Sequence, residues 1–339
     1  MSPRKRFLII APSWIGDLLI SQSVFKFLKN NYNECVIDII AKPYLNGLIQ
    51  LMPEINNIYD LDIRHKELGL SKRTLISKDL KKHNYSSAII LTNTFKSAII
   101  PWLMRIPERV GYKKELRSIL LTKSYNLLKH KDSMVNRYLK LVDASFSNNL
   151  RPYLEIDKGQ AEIYKNQFML KNAKKNIFLC PEAEFGTAKR WPQKYWMLLA
   201  NYYKKENYNI YFIGKDPLTD SIYKDVIDNT NIISLIGKTS LKEVTYILSY
   251  ADLVIANDSG LMHLAASLDV NLISIYGSSS PFYTPPLIQS NQGEVIYKQV
   301  DCSPCFKSIC PLIDDENLKC LTSISAEEVY KKSKAYLDR

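Results

Sequence analysis

Apolar runs of strand length alternate with helically spaced apolar residues in this chain, and the alternation occurs twice. The first half has predicted strands at residues 7–10, 36–40 and 87–91, with helical spacing over 16–29 and 78–83. The second half has predicted strands at 176–180, 210–213, 232–235, 253–255 and 272–276, with helices over 195–206 and 241–249. Strands that alternate with helices predict βαβ units and parallel sheets, so we expect an α/β fold.

A polar stretch rich in Lys and Asn, over residues 145–175, separates the two halves. The chain has 339 residues, which is long for one hydrophobic core. We therefore expect one Rossmann-like domain over residues 1–155, a second over 156–325, and a C-terminal helix over 326–339. In folds of this kind a ligand binds at the carboxyl ends of the strands.

The net charge of +12 favours anionic partners, although a solvated Lys-rich surface produces the same number. The sequence has no zinc-finger, helix-turn-helix or aromatic–basic RNA motif, so we do not expect nucleic acid as a partner. It also lacks the Gly-x-Gly-x-x-Gly and phosphate-loop patterns, which disfavours dinucleotide oxidoreduction and P-loop ATPase chemistry.

The N-terminus imitates a secretory signal, because three basic residues at positions 4–6 precede an apolar run. That run stops at Pro12, the charged Asp17 lies shortly after it, and no small-residue cleavage site is present. No apolar stretch reaches the length of a membrane span. We expect a cytoplasmic protein with at most peripheral membrane contact.

The first candidate site is the turn Asp258-Ser259-Gly260, which follows a predicted buried strand and opens a helix. Gly260 permits close approach of a ligand to the backbone, and amides at a helix start bind anions. His263 lies about one turn further along. An ordinary N-capped helix explains the same residues, but the position at the carboxyl edge of a parallel sheet favours a phosphate site.

The second candidate is the segment 180–192, which follows the first strand of the second half. Lys189 supplies a compact positive charge, Thr187 a hydroxyl and Gly186 an accessible amide. Glu184 belongs to the same segment. A surface loop before a helix that begins with Pro is the competing interpretation.

The third candidate is Asp17, in the segment 12–17 between the first strand and the first helix. An acidic residue in a first helical turn ordinarily compensates the helix dipole. A carboxylate that faces a ligand cleft can also accept a proton from a sugar hydroxyl.

Taken together, these blocks resemble the ADP-heptose:lipopolysaccharide heptosyltransferases of glycosyltransferase family 9, and most closely the type II branch. The resemblance runs over nearly the whole chain, and its most telling blocks lie at residues 12–17, 93–98, 183–192, 257–263, 276–281 and 284–286. Several such blocks in one order are far more specific than any single motif.

The resemblance implies a GT-B fold with two facing Rossmann-like domains, an N-terminal acceptor domain and a C-terminal ADP-heptose domain. It implies transfer of heptose to heptosyl-Kdo2-lipid A with inversion and without a required cofactor. Asp17 would be the catalytic base. The donor residues would be Glu184, Gly186, Thr187, Lys189, Asp258, Ser259, Gly260 and His263.

On the acceptor side, the residues expected to contact the anionic core oligosaccharide are Ser13, Trp14, Asn93, Lys96 and Arg117. Lys96 and Arg117 are the leading choices, since Lys and Arg bind phosphate and carboxylate groups. Two alternatives stay open: the same chemistry on the acceptor of heptosyltransferase I or III, and a non-catalytic nucleotide-sugar-binding protein.

Four of the six cysteines cluster near the C-terminus, at Cys302, Cys305, Cys310 and Cys320. Four thiols so close in sequence suit a structural Zn²⁺ ion, and a reducing cytoplasm disfavours disulfides. The spacing departs from common zinc-finger patterns, so free thiols are the competing expectation.

Overall fold

The structure is a computed structural model that describes residues 4–64, 67–127, 131–171, 174–227 and 230–338. The chain divides into two compact units, Met1–Glu155 and Ile156–Arg339. In the described residues, no helix combines the length and apolar character that crossing a bilayer requires.

The first unit contains a six-stranded parallel sheet in the order β3-β2-β1-β4-β5-β6. Its strands are β1 Arg6–Ile10, β2 Val36–Ala41, β3 Asn57–Asp60, β4 Ser87–Ile90, β5 Glu108–Lys113 and β6 Lys123–Asn126. Its helices are α1 Ile15–Asn31, α2 Asn46–Ile49, α3 Leu70–Lys81, α4 Ile99–Leu103 and α5 Met134–Lys140.

The second unit repeats the plan, with a six-stranded parallel sheet in the order β12-β11-β10-β7-β8-β9. Its strands are β7 Asn176–Cys180, β8 Asn209–Phe212, β9 Ile232–Ser234, β10 Leu253–Asn257, β11 Leu272–Tyr276 and β12 Gly293–Tyr297. Its helices are α6 Lys158–Gln167, α7 Gln193–Lys205, α8 Pro217–Asp220, α9 Leu241–Leu248, α10 Gly260–Ser267, α11 Lys319–Thr322 and α12 Ala326–Leu337.

Each unit has its own apolar core. In the first unit Leu8, Ile90 and Ile100 are buried between the sheet and helix α4. In the second unit Trp191 and Trp196 are almost completely buried and pack edge to face, with ring centroids 5.1 Å apart. The central strands are buried on both faces because helices cover both sides of a parallel sheet, which explains their continuous apolar runs.

The predicted strands that form the centre of each sheet are confirmed. Four outer strands, β3, β5, β6 and β12, lack a clear apolar run and were not predicted. The helix predicted at 78–83 is the end of the longer helix α3, Leu70–Lys81. Five short helices, α2, α4, α5, α8 and α11, were also not predicted.

Candidate active site

Both sheets have a topological switch point, where the chain direction across the sheet reverses. In the second unit it lies between β7 and β10, which pair directly in parallel. The loops after these two strands carry Lys189 and Asp258, two of the predicted donor residues. A ligand in an open α/β sheet binds outside the carboxyl ends of the strands at this point.

Asn257, the last residue of β10, ties the two loops together. Its side chain is fully buried. The amide nitrogen donates to the Pro181 carbonyl at 2.7 Å, and the amide oxygen accepts from the Trp191 backbone N–H at 3.0 Å. The side chain therefore fixes both ends of the segment that carries Lys189.

Lys189 and Asp258 form an ion pair with an Nζ–Oδ2 distance of 2.5 Å. The side chain of Asp258 is 4% exposed and that of Lys189 is 15% exposed, so water screens the pair only partly. The Ser279 hydroxyl donates to the same carboxylate oxygen. Lys189 also lies 5.1 Å from the centroid of the Phe185 ring. Asp258 is thus held by the loops after β7 and β11.

The start of helix α10 matches the requirements of an anion site. Ser259 occupies the N-cap position, yet its side chain makes no capping hydrogen bond. The buried hydroxyl oxygens of Ser259 and Ser278 find no hydrogen-bond partner among the residues that the structure describes. Buried polar groups are normally paired, so unpartnered hydroxyls beside a helix N-terminus indicate room for an acceptor that the protein does not itself supply.

His263 lies in the second turn of α10 and is 7% exposed. Burial lowers the pKa of its imidazole to about 4, and the nearby Lys189 acts in the same direction while Asp258 opposes it. His263 is therefore neutral at pH 7. It can offer a ring N–H as a hydrogen-bond donor, but it does not add a second cation to the site.

Gly186 allows the loop after β7 to touch a cysteine-bearing segment, residues 302–310. It has a φ of +154°, and a Cβ atom there would lie 2.1 Å from the Ser308 carbonyl oxygen. That same carbonyl accepts from the Ala188 backbone N–H at 3.0 Å. The role of Gly186 is thus close packing against residues 302–310.

The same segment also braces the loop after β11. The Phe306 N–H donates to the Ser278 carbonyl at 2.6 Å, and the Ser303 hydroxyl donates to the Gly277 carbonyl at 2.6 Å. The segment 302–310 therefore contacts both loops that flank Asp258.

Thr187 and Glu184 are both accessible to solvent. The Glu184 carboxylate forms a 3.1 Å ion pair with Lys215, whose side chain is 85% exposed. The neighbouring Glu182 instead accepts backbone hydrogen bonds from Lys215 and Asp216. Thr187 is therefore accessible to a ligand, whereas the Glu184 carboxylate pairs with an exposed lysine.

The four clustered cysteines differ in exposure. Cys302 is exposed, Cys305 and Cys310 are half-buried, and Cys320 is buried. Burial raises the pKa of the Cys320 thiol to about 11, and its three cysteine neighbours add to the rise. Among the described residues, no three His, Cys, Asp or Glu side chains are arranged to hold a metal ion. Bound zinc therefore stays a prediction.

In the first unit the switch point lies between β1 and β4. Asp17 is the third residue of α1, directly after β1, and is partly exposed. Ser13 and Trp14 precede it and are exposed, and Trp14 is the N-cap residue of α1. The Ser13 carbonyl accepts from the Tyr44 hydroxyl.

Asn93 and Lys96 follow β4, across the same switch point. The Lys96 ammonium reaches the Glu67 carbonyl at 3.3 Å. The switch point therefore brings the segments that bear Asp17, Asn93 and Lys96 to the same edge of one sheet.

Arg117 has a different position from the one predicted. It is completely buried. Its guanidinium donates to the Tyr112 carbonyl at 2.7 Å, to the Ser97 hydroxyl at 3.0 Å and to the Thr92 carbonyl. A buried guanidinium with these partners is not presented to a ligand. The structure therefore gives Arg117 the task of holding the loop after β4, in place of the predicted contact with the acceptor.

Comparison with known proteins decides the family. The sequence profile of glycosyltransferase family 9 (heptosyltransferase) matches residues 73–314. Lipopolysaccharide heptosyltransferase 2 of Salmonella typhimurium is 34% identical over 86% of this chain and 87% of its own length. The chain belongs to glycosyltransferase family 9 (heptosyltransferase).

Two further relatives agree with this membership. Lipooligosaccharide heptosyltransferase 2 of Haemophilus influenzae is 36% identical over 85% of this chain and 90% of its own length. The structure of the E. coli ADP-heptose lipopolysaccharide heptosyltransferase II superposes with a TM-score of 0.84 at 30% identity, over 98% of each chain. The resemblance inferred from the sequence blocks and the GT-B fold are therefore both confirmed.

Two residues of this family 9 transferase that the sequence did not single out belong to the candidate site. Asn257 and Ser279 were present only as members of the matching blocks 257–263 and 276–281. A signal for Asn257 was present, because an amide side chain at the end of an apolar run, VIAN, has to find partners for its polar atoms. No comparable signal marks Ser279, whose partner lies 21 residues away.

Proposed function

We propose that this chain transfers L-glycero-D-manno-heptose from ADP-heptose to heptosyl-Kdo2-lipid A, in the manner of heptosyltransferase II. The observation that carries the proposal is the Lys189–Asp258 pair beside the uncapped start of α10, at the switch point of the second sheet. Support for the donor and acceptor comes from the relatives, which are named ADP-heptose and lipopolysaccharide heptosyltransferases.

The donor reaction requires stabilisation of a leaving ADP. Negative charge grows on the diphosphate as the bond from the anomeric carbon to the phosphate oxygen breaks. The Lys189 ammonium and the amides at the start of α10 neutralise that charge, and Ser259, Ser278 and neutral His263 supply hydrogen-bond donors. Such preorganised donors are the largest single contribution in many enzymes.

Acceptor activation is assigned to Asp17. Its carboxylate takes the proton of the attacking acceptor hydroxyl while that oxygen forms a bond to the anomeric carbon, with inversion. General-base assistance of this kind contributes roughly 10²–10⁴-fold to a rate. Asp17 lies in the first turn of α1, at the switch point of the first sheet, where a ligand of an open α/β sheet binds.

The acceptor is an anionic lipid, and the net charge of +12 suits it. We place the reaction at the cytoplasmic face of the membrane that holds this lipid, with peripheral contact only. Asn93 and Lys96 are the residues assigned to the acceptor sugars or their anionic groups. No cofactor enters these steps.

To test the proposal, the purified protein is incubated with ADP-heptose and with Kdo2-lipid A acceptors that bear zero, one or two heptoses. The products are identified by mass spectrometry. We expect elongation of the acceptor with one heptose. Elongation of the acceptor with none assigns type I activity, and elongation of the acceptor with two assigns type III. ADP-heptose binding without any transfer supports a non-catalytic binding protein.

The base is tested with Asp17→Asn, which we expect to lower kcat by about 10²-fold or more. Asp79→Asn, at an exposed acidic position on α3, is the matched control and should keep wild-type turnover. Circular dichroism verifies that both variants are folded. A folded Asp17→Asn enzyme with wild-type kcat would remove the assignment of Asp17.

A further inference from the structure

One loop of the first unit displays apolar side chains in water. The segment 113–119 begins at the last residue of β5, at the same sheet edge as Asn93 and Lys96. Leu116 is 87% exposed, more than any other large apolar side chain in the described residues, and Ile119 is 77% exposed. Between them, Arg117 is completely buried.

Hydrogen bonds of Glu115 and Arg117 hold the loop in place. Besides the Arg117 bonds, the Glu115 carboxylate accepts the Phe95 backbone N–H at 2.9 Å. Leu116 has a φ of +58°, a left-handed conformation that branched and bulky residues rarely adopt. A loop that could relax would bury its leucine, so these anchors keep Leu116 directed outward. Conformational strain of this kind persists where surrounding structure fixes it, often at functional surfaces.

The loop carries basic residues at the edge of the first sheet. It begins at Lys113, the last residue of β5, and Lys96 follows the neighbouring strand β4 at the same edge. Lys113 and Lys114 are both exposed, and Glu115, which separates them from Leu116, is engaged by the Phe95 N–H. Exposed apolar side chains beside exposed lysines are the combination that binds an anionic lipid interface.

We propose that the segment 113–119 docks this enzyme on the anionic membrane surface that presents its acceptor, with Leu116 and Ile119 entering the interface and Lys113 and Lys114 contacting headgroups. This inference rests on the proposed function for the identity of the lipid. It deepens that function, because Arg117 of this segment also holds the loop that carries Asn93 and Lys96. Docking thus places the acceptor-side residues at the level of the sugars that project from the membrane.

An anionic membrane fits this surface better than nucleic acid or a second copy of the chain. The exposed Leu116 and Ile119 side chains would not contribute to nucleic-acid binding, which depends on phosphate charge and on base stacking with aromatic rings. A second copy would present the same exposed Lys113 and Lys114, and like charges across an interface repel. A bilayer accepts both features, since its headgroups attract Lys and its acyl boundary accepts Leu and Ile.

The first experiment measures co-sedimentation of the full chain with vesicles of phosphatidylethanolamine and phosphatidylglycerol, and with vesicles of phosphatidylcholine alone. We expect binding to the anionic vesicles that weakens with salt. Leu116→Asp with Ile119→Asp should lower the partition coefficient by at least about tenfold, because it removes the inserted groups and adds two negative charges. Leu75→Asp with Leu218→Asp is the matched control, at positions 61% and 77% exposed, and should bind as wild type.

The second experiment compares heptose transfer to an acceptor embedded in those vesicles with transfer to a de-acylated, water-soluble acceptor. The double variant should raise KM for the embedded acceptor and leave kcat and KM for the soluble acceptor within about twofold, since its changed side chains lie outside the assigned site. Equal losses on both acceptors would overturn the inference. Absence of wild-type binding to anionic vesicles would also overturn the inference. Dimerisation of the wild type that the double substitution abolishes, measured by sedimentation velocity, would overturn it as well.

These outcomes separate the inference from the proposed function. Wild-type protein that binds vesicles through the loop but transfers no heptose to the soluble acceptor contradicts the proposed function alone. The inference alone is contradicted if the wild-type protein transfers heptose to the soluble acceptor and the double variant binds vesicles as well as the wild type does.

Discussion

Substitution of Gly186 by Ala tests whether residues 302–310 set the geometry of the donor site. The added Cβ would lie 2.1 Å from the Ser308 carbonyl oxygen and 2.7 Å from the carbonyl carbon. Both neighbours are backbone atoms, so rotation of a side chain gives no relief. The φ of +154° is itself in a region that only glycine adopts readily.

The cost follows from these two features. A non-glycine residue in such a conformation costs about 1–3 kcal/mol. Separation of the two segments also loses the hydrogen bond from Ala188 to Ser308, worth about 1 kcal/mol. We therefore expect a destabilisation of the second unit by roughly 2–4 kcal/mol. Since Lys189 lies close by in the same loop, ADP affinity should fall as well.

Unfolding in urea is followed by tryptophan emission. Trp191 and Trp196 are at most 2% exposed, whereas Trp14 and Trp102 are about half exposed, so the emission shift reports mainly the second unit. Calorimetric titration gives the affinity for ADP. Gly159→Ala is the control, because a Cβ there meets no backbone atom and only the Asp157 side chain, at 3.3 Å. That helical substitution should be neutral or stabilising. Wild-type stability and ADP affinity in Gly186→Ala would refute the reasoning.

Three further predictions concern other parts of the site. The pKa of His263 is lowered to about 4, so folding stability should fall as the pH drops from about 6.5 to about 4, by on the order of 3 kcal/mol. Urea titrations over that pH range should show this fall, and His263→Asn should lose it. Arg117→Lys should raise KM for the acceptor with little change in ADP affinity, because one ammonium cannot replace the bonds to three backbone or hydroxyl groups of two loops. Metal analysis of purified protein should find about one zinc per chain if the four clustered thiols bind it, and a substoichiometric trace excludes the idea.

The sequence was sufficient to predict the centre of each sheet, but of the four edge strands it predicted only β9. Strands such as β7 and β10 are buried on both faces and therefore appear as continuous apolar runs. The strand β3, NIYD, has polar ends and is only partly covered, so its four residues carry almost no periodic signal. Its position is set by pairing with β2, which is a tertiary interaction.

The candidate site shows the same division between what a pattern predicts and what folding adds. The chemical type of Lys189, Asp258 and Arg117 was visible in the sequence, but their desolvation was not. Arg117 was expected at a ligand because it is cationic, yet burial and five acceptor groups assign it to the protein interior. Only the structure shows which charges are already satisfied.

Asp258 illustrates how a carboxylate can serve a diphosphate site. A negative group beside a bound diphosphate would oppose binding if its charge were uncompensated. Here Lys189 and the Ser279 hydroxyl both donate to the same Asp258 oxygen, so the carboxylate is compensated before any donor arrives. A buried ammonium needs such a partner, because the cost of burying an isolated charge is large. Asp258 therefore acts on the donor through Lys189. It fixes the Lys189 ammonium near the N-terminus of α10, where the other N–H groups of that ammonium can donate to phosphate oxygens.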